Sequence, residues 1–228
     1  MIKIKDPKIS VIVPIYNCVD LLERALNSIP LDDDVQLILI DDGSTDGSYE
    51  KELEWWGKNM KDSHHALFIH KEKNEGVASA MNAGFEVASG EYIGSLSSDD
   101  YYLTNFDQFR PLMDGKNDLI YFDLEVNDGS IWKLDEVSKT KFVGAVKFIR
   151  REFLGDTRIP EDVKYMEDVP FNNALQLKKP TEVFSNIALK HYNWPREGSL
   201  ISQAENDYKN NRKEWEKASK QIKWEGHD

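Results

Sequence analysis

Tyr92-Ile93-Gly94-Ser95-Leu96-Ser97-Ser98-Asp99-Asp100 is an apolar run that ends in two adjacent carboxylates. The run reads as a buried strand. Carboxylates at the carboxyl end of such a strand face the crevice in which open α/β sheets bind ligands. They are hard oxygen donors, suited to a divalent cation that itself holds phosphate oxygens. Taken alone, the pair also reads as a solvated strand-to-helix corner with an N-capping Asp.

Working outward, the same grammar repeats toward the amino terminus. Ile9-Ser10-Val11-Ile12-Val13-Pro14 is a β-branched run closed by proline, and Val35-Gln36-Leu37-Ile38-Leu39-Ile40 is a second strand ending in Asp41-Asp42-Gly43-Ser44-Thr45-Asp46-Gly47. Between them, Val19, Leu22, Ala25, Leu26 and Ile29 recur at helical spacing, with Asn17 as the expected N-cap. A helix through Leu53, Trp55 and Trp56, a short strand Ala66–His70 and a small-residue helix from Asn74 to Ala88, with Gly90 as its expected left-handed cap, lead back to the opening run. Strand alternating with helix in this way is the pattern of a doubly wound, mostly parallel sheet with helices on both faces.

After about Arg110 the alternation stops. Leu119–Val126 and Ser130–Leu134 flank Asn127-Asp128-Gly129, a hairpin signal. Residues 142–154 read as helical, another helix follows Asp168, and Thr181–Phe184 with Ala188–Tyr192 read as a closing pair of strands. The tail from about 202 to 223 reads as a charged helix. With no repeat and no low-complexity linker, one domain is expected: a first half to about 110, a differentiated half over about 111–202, and a helical tail over about 203–228.

Composition narrows the function. The 228-residue chain carries a formal charge of −12. That balance argues against nucleic acid as a partner, and it makes any anionic substrate depend on a metal ion or a local basic cluster. No apolar run approaches the ~20 residues that span a bilayer, and Met1–Asp6 lacks the apolar core of a signal peptide. Cys18 is the only cysteine, so a reducing cytoplasm is the expected compartment.

Four constellations stand in one order: the strand ending in Val13-Pro14-Ile15-Tyr16-Asn17, the strand ending in Asp41-Asp42-Gly43-Ser44-Thr45-Asp46, the small helix from Asn74 to Gly84, and the strand ending in Ser98-Asp99-Asp100. Over residues 8–202 this order resembles the family-2 glycosyltransferases, nucleotide-sugar-dependent enzymes with the GT-A fold. The resemblance implies an α/β, Rossmann-like sheet of the GT-A type whose second half receives the acceptor. It implies that Pro14 and Tyr16 wall the nucleobase and ribose, and that the Asp41–Asp42 pair, Asp42 in particular, accepts the imino hydrogen of uracil. Gly76 then lets backbone approach the ligand, and Asn74 anchors that loop or meets the sugar-phosphate.

The family's Asp-Ser-Asp-Asp metal motif is matched only in part, because Ser97 stands where its first Asp would be. The resemblance still places Mn²⁺ or Mg²⁺ on Asp99 and Asp100, with one carboxylate near the ribose or sugar. A basic residue usual before Asn82 is Met81 here, leaving Lys71 and Lys73 as nearby cations. Glu167-Asp168 resembles the acidic motif that opens the acceptor-side helix and makes Asp168 the general base of an inverting displacement; as a plain sequence, Asp168 is an N-cap followed by Pro170. Tyr192–Leu200 resembles a late segment in which Arg196 meets the diphosphate.

The expected partners are a nucleotide-sugar, UDP-linked by the uracil argument, and a glycan or lipid-linked glycan acceptor of bacterial surface polysaccharide synthesis at the inner membrane face. The tail, with Trp215 and Trp224, is where peripheral contact with that membrane or a second subunit would be made. The alternative is a catalytically silent sugar-nucleotide-binding module, suggested by Ser97 and opposed by Asp168. A dinucleotide oxidoreductase is excluded by the lack of Gly-x-Gly-x-x-Gly after the first strand.

Overall fold

Ile9–Ile15 (β1) is buried over nearly its whole length, as its unbroken apolar sequence requires of a strand covered on both faces. The computed structural model describes residues 6–60, 65–135, 146–163 and 166–194. From β1 the chain runs through Val19–Asn27 (α1), Val35–Asp41 (β2), Ser48–Asn59 (α2), Ala66–His70 (β3), Val77–Val87 (α3) and Tyr92–Ser95 (β4). The second half contains Tyr101–Tyr102 (β5), Leu119–Val126 (β6), Ile131–Trp132 (β7), Lys147–Arg150 (β8), Arg151–Leu154 (α4), Asp168–Leu177 (α5) and Glu182–Tyr192 (β9).

All the described strands join one sheet in the order β3-β2-β1-β4-β8-β6-β9-β5, with β7 on β6. The first four are mutually parallel. The chain winds outward from β1 through β2 to β3, then crosses to the other side of β1 to lay down β4. The strand order therefore reverses between β1 and β4, which opens a crevice at their carboxyl ends. Beyond β4 the sheet is mixed: β8 is antiparallel to β4 and β6, and β9 is parallel to β6.

Small residues on α3 set its distance from the sheet. A Cβ on Gly84 would lie 2.5 Å from Ile12 Cγ2, closer than such atoms pack. Ala80, Met81 and Phe85 are buried on the same helix, which brings its amino end up to the crevice. Behind β8, Phe148 packs edge-on against Phe106 and Phe122, at 5.5 Å in each case, and closes the opposite face.

Several local expectations are corrected. Asn17 does not cap α1: it has φ +46, and its Oδ1 accepts a hydrogen bond from the Thr45 amide. The free amides at the start of α1 are satisfied from the neighbouring loop instead, Cys18 N by Ser48 Oγ at 2.9 Å and Val19 N by Asp46 Oδ2 at 3.1 Å. Gly90 is no left-handed cap; its missing side chain lets it lie against the Ile9–Ser10 backbone. Of the helix expected over 142–154, Arg151–Leu154 is helical, Lys147–Arg150 is instead strand because it pairs with β4 and β6, and 142–145 lie outside the described residues. The expected closing pair of strands is a single strand, β9, whose register shifts against β6 near Asn186, where φ is +56. Arg196 and the tail lie outside the described residues.

Candidate active site

The crevice is assembled from loops at the carboxyl ends of β1, β2 and β4. Parallel pairing sets Ile15 beside Asp41, so the Asp41–Asp42 corner meets the first loop directly. Asn17 N donates to Ser44 Oγ at 3.1 Å, and Asn17 Oδ1 accepts from Thr45, lacing the loops after β1 and β2 together. Burial opposes ionisation of Asp46, but hydrogen bonds from Ser48 and Val19 hold its carboxyl below the usual range, which fixes it as a structural clamp.

Asp41 and Asp42 are both buried and differently engaged. Asp41 accepts from Ser44 N at 3.2 Å, and its Oδ2 is 2.8 Å from His70 Nδ1. Behind it lies Glu52, buried with neither carboxyl oxygen hydrogen-bonded; burial and the Asp41 charge push it up to about 9, so it is protonated at neutral pH. Asp42 reaches the loop before α3: it accepts from Gly76 N at 2.8 Å and Glu75 N at 3.2 Å, and Lys71 Nζ stands 3.1 Å away. Lys71 thus neutralises this corner, while Lys73 is largely exposed. Asn74 Oδ1 also accepts from Gly76 N at 2.8 Å, shaping the turn as an Asx motif. Gly76 has φ +95, and Tyr16 is 45% exposed at the rim.

At the end of β4 the two adjacent acids diverge. Asp100 is 2% exposed, and its Oδ1 accepts the Asn193 amide at 2.9 Å. Burial pushes its carboxyl up to about 6 against the opposing pull of Lys190. Lys190 is also buried, and its Nζ donates to Ser95 O at 2.6 Å. Asp99 lies half-buried at the crevice, where Arg24 donates to its carbonyl at 3.0 Å. Among the described residues no three His, Cys, Asp or Glu side chains converge. One accessible carboxylate beside two serine hydroxyls fits a cation whose remaining ligands are phosphate oxygens and water. Of the two acids expected to divide between the cation and the ribose or sugar, Asp100 is turned inward and Asp99 is the one exposed at the crevice.

A cavity of about 210 Å³ joins the two halves of the molecule. Pro14 of β1, Ser95 and Ser97 at the end of β4, and Glu167 and Asp168 at the start of α5 share its wall with Met81 and Phe171. Asp168 is the first residue of α5, one position inside the Glu167 N-cap, and lines this space. Burial and the Asp168 charge push Glu167 up to about 7. Lys147 also lines the cavity, 4% exposed. Neither Lys147 nor Lys190 is legible as a site residue in the sequence. The signal was a lysine alternating with apolar neighbours in a buried strand, as in Val146-Lys147-Phe148-Ile149.

The chain matches known proteins over most of this region. A sequence model described as "Glycosyl transferase family 2" matches residues 10–165. A curated relative, the chondroitin synthase of Pasteurella multocida, is 37% identical over 99 residues, which is 42% of this chain and 10% of that protein. The chain spans less than half of the length of the curated relatives it matches, from 10% to 42%. Among solved structures, S. aureus TarS 1–349 in complex with UDP-GlcNAc aligns with TM-score 0.69 at 23% identity, covering 86% of this chain and 60% of that one. The mannosyltransferase PcManGT from Pyrobaculum calidifontis, in complex with GDP-Man and Mn²⁺, aligns with TM-score 0.69 at 18% identity, covering 95% and 65%.

Proposed function

Because the chain belongs to glycosyl transferase family 2 and is a glycosyltransferase with a GT-A fold, we propose that it is a metal-assisted, inverting enzyme that takes its sugar from a nucleotide-sugar, a UDP-sugar first, and places it on a glycan hydroxyl. The observation that carries this reading is the shared cavity, where Asp168 faces the loops at the ends of β1 and β4. Beside this cavity, with Pro14 common to both, the nucleobase lies by Tyr16 and Asp42, and Asp41 braces the corner through Ser44. The ribose and diphosphate extend along Asn74, Gly76 and Asp99, and Arg196 is the residue proposed to meet the diphosphate.

Asp99 would hold Mn²⁺ or Mg²⁺, which would supply positive charge against that of the departing diphosphate. Asp168 takes the proton from the acceptor hydroxyl as that oxygen bonds to the anomeric carbon and the carbon–phosphate-oxygen bond breaks. Attack from the face opposite the leaving group inverts the anomeric centre. Met81, Phe85 and Phe171 keep water away from the reacting atoms. A glycan acceptor is in keeping with the name of one relative, a chondroitin synthase, and a surface polysaccharide or lipid-linked glycan is the acceptor class we propose; no described helix is long and apolar enough to cross a membrane.

Inversion is testable without knowing the acceptor, because such enzymes also transfer slowly to water. Proton NMR of sugar released from an α-linked UDP-sugar is expected to show the β anomer first, before mutarotation. First appearance of the α anomer would overturn the inverting reading.

A further inference from the structure

Lys147 is the one cavity-lining cation among the described residues, and it occupies a position where an apolar side chain would be expected. It opens β8, the strand inserted between β4 and β6, with Tyr121 as its cross-strand partner on β6. On β8, Lys147 and Ile149 share the face toward the cavity, while Phe148 packs into the aromatic cluster behind. A lysine buried among Ile149, Phe171 and Phe85 is strongly disfavoured unless a carboxylate compensates it.

The groups around Lys147 are few. Asp168 at the start of α5 is the first of the charges that support its ammonium, and Glu182 of β9 is the second. Glu182 Oε1 already accepts from the Tyr121 hydroxyl at 2.9 Å and from Gln176 Nε2 at 2.5 Å. Lys190 of β9 opposes the charge, Glu167 adjoins Asp168, and the Tyr121 ring lies under the ammonium with its centroid at 5.5 Å. Burial pushes Lys147 down to about 7 against the pull of Asp168 and Glu182.

We infer that Lys147 is a positioning residue for Asp168, the counter-ion that keeps the base ionised and aimed into the cavity beside a second acid. The inference rests on the reading of Asp168 as base. Two adjacent acids, Glu167 and Asp168, in a largely apolar cavity compete for one proton, and the cation decides which of them remains a carboxylate. Without it, the proton that must be absent from Asp168 at the start of transfer is held more tightly. In this role Lys147 acts through Asp168 and not on the reacting atoms.

The test compares wild type, Lys147→Met and Lys147→Arg. Carbon-13 NMR of aspartate-labelled protein, with Asp168→Asn to assign the resonance, reads the Asp168 titration directly and needs no substrate. Lys147→Met is expected to move that midpoint up by at least one pH unit, and Lys147→Arg to restore it. The acidic limb of the pH profile for UDP release from UDP-N-acetylglucosamine should move in the same direction. A folded Lys147→Met protein with an unmoved Asp168 midpoint overturns the inference. If Lys147→Met does not fold, the same midpoint in Lys147→Gln decides. A shifted midpoint in a protein whose Asp168→Asn variant still turns over normally would leave the ion pair standing and remove the base.

Discussion

Replacing Asp168 by Asn is expected to lower transfer by about 10²–10⁴-fold, the range typical of a lost general base. The amide keeps the size and the hydrogen-bonding outline of the carboxylate, so the cavity stays intact. It cannot take a proton from the acceptor. Donor binding depends on the corners around Asp42 and Asp99, which Asp168 does not form, so nucleoside diphosphate affinity should change by less than about threefold. Glu167 next door is pushed up to about 7, and with the Asp168 charge gone it titrates lower, which makes it the source of any residual rate. The measurement is single-turnover transfer beside calorimetric binding of UDP. Normal turnover would remove Asp168 from the mechanism, and a silent binding module has no turnover to lose.

The second large effect is expected at Gly43, which follows the Asp41–Asp42 pair. Its φ is +74, and a Cβ there would lie 2.5 Å from the Lys73 carbonyl carbon and 2.7 Å from the Asn74 nitrogen. Those atoms are backbone and have no rotamer to escape into. Gly43→Ala must therefore push the loop after β2 away from the segment before α3. That separation breaks the reach of Asp42 to the Gly76 and Glu75 amides. A cost of about 2–3 kcal/mol is expected, or roughly 5–10 °C in thermal midpoint, together with weakened nucleotide binding. Gly47 supplies the control. At φ +94 and ψ 2 it lies in the left-handed region, but its added Cβ meets only Val19 Cγ2 at an ordinary 3.8 Å, so Gly47→Ala should cost only about 1 kcal/mol of backbone strain. Equal losses from the two substitutions would show that crowding at Gly43 is not what holds the corner.

The parallel half of the fold was legible because its order is written locally. β1, β2 and β4 are apolar runs ending in polar corners, and α1 has a clear helical stripe. Where long-range contacts decide, local pattern misled. Lys147–Arg150 reads as helix by its neighbours, yet pairing with β4 and β6 makes it strand. Asn17 has the composition of a cap, but Ser44 and Thr45 from another loop bind it first. At the site, the acidic pairs announced themselves, whereas their division of labour did not. Asp99 and Asp100 are neighbours in sequence, and it takes the Asn193 amide and Lys190, 90 or more residues away, to hold Asp100 inward. The two buried lysines escaped notice for the same reason: each is explained by a carboxylate on another element.

If the crevice at the ends of β1, β2 and β4 binds a nucleotide-sugar and, with a divalent cation, releases its nucleotide, the decisive assay is nucleotide release from UDP-, GDP- and dTDP-sugars, each with Mn²⁺ or with EDTA. Release from a UDP-sugar is expected to exceed that from the other two, to be lost with EDTA and to be lost in Asp99→Asn. Release at equal rates with Mn²⁺ and with EDTA, or from none of the donors, would contradict this reading.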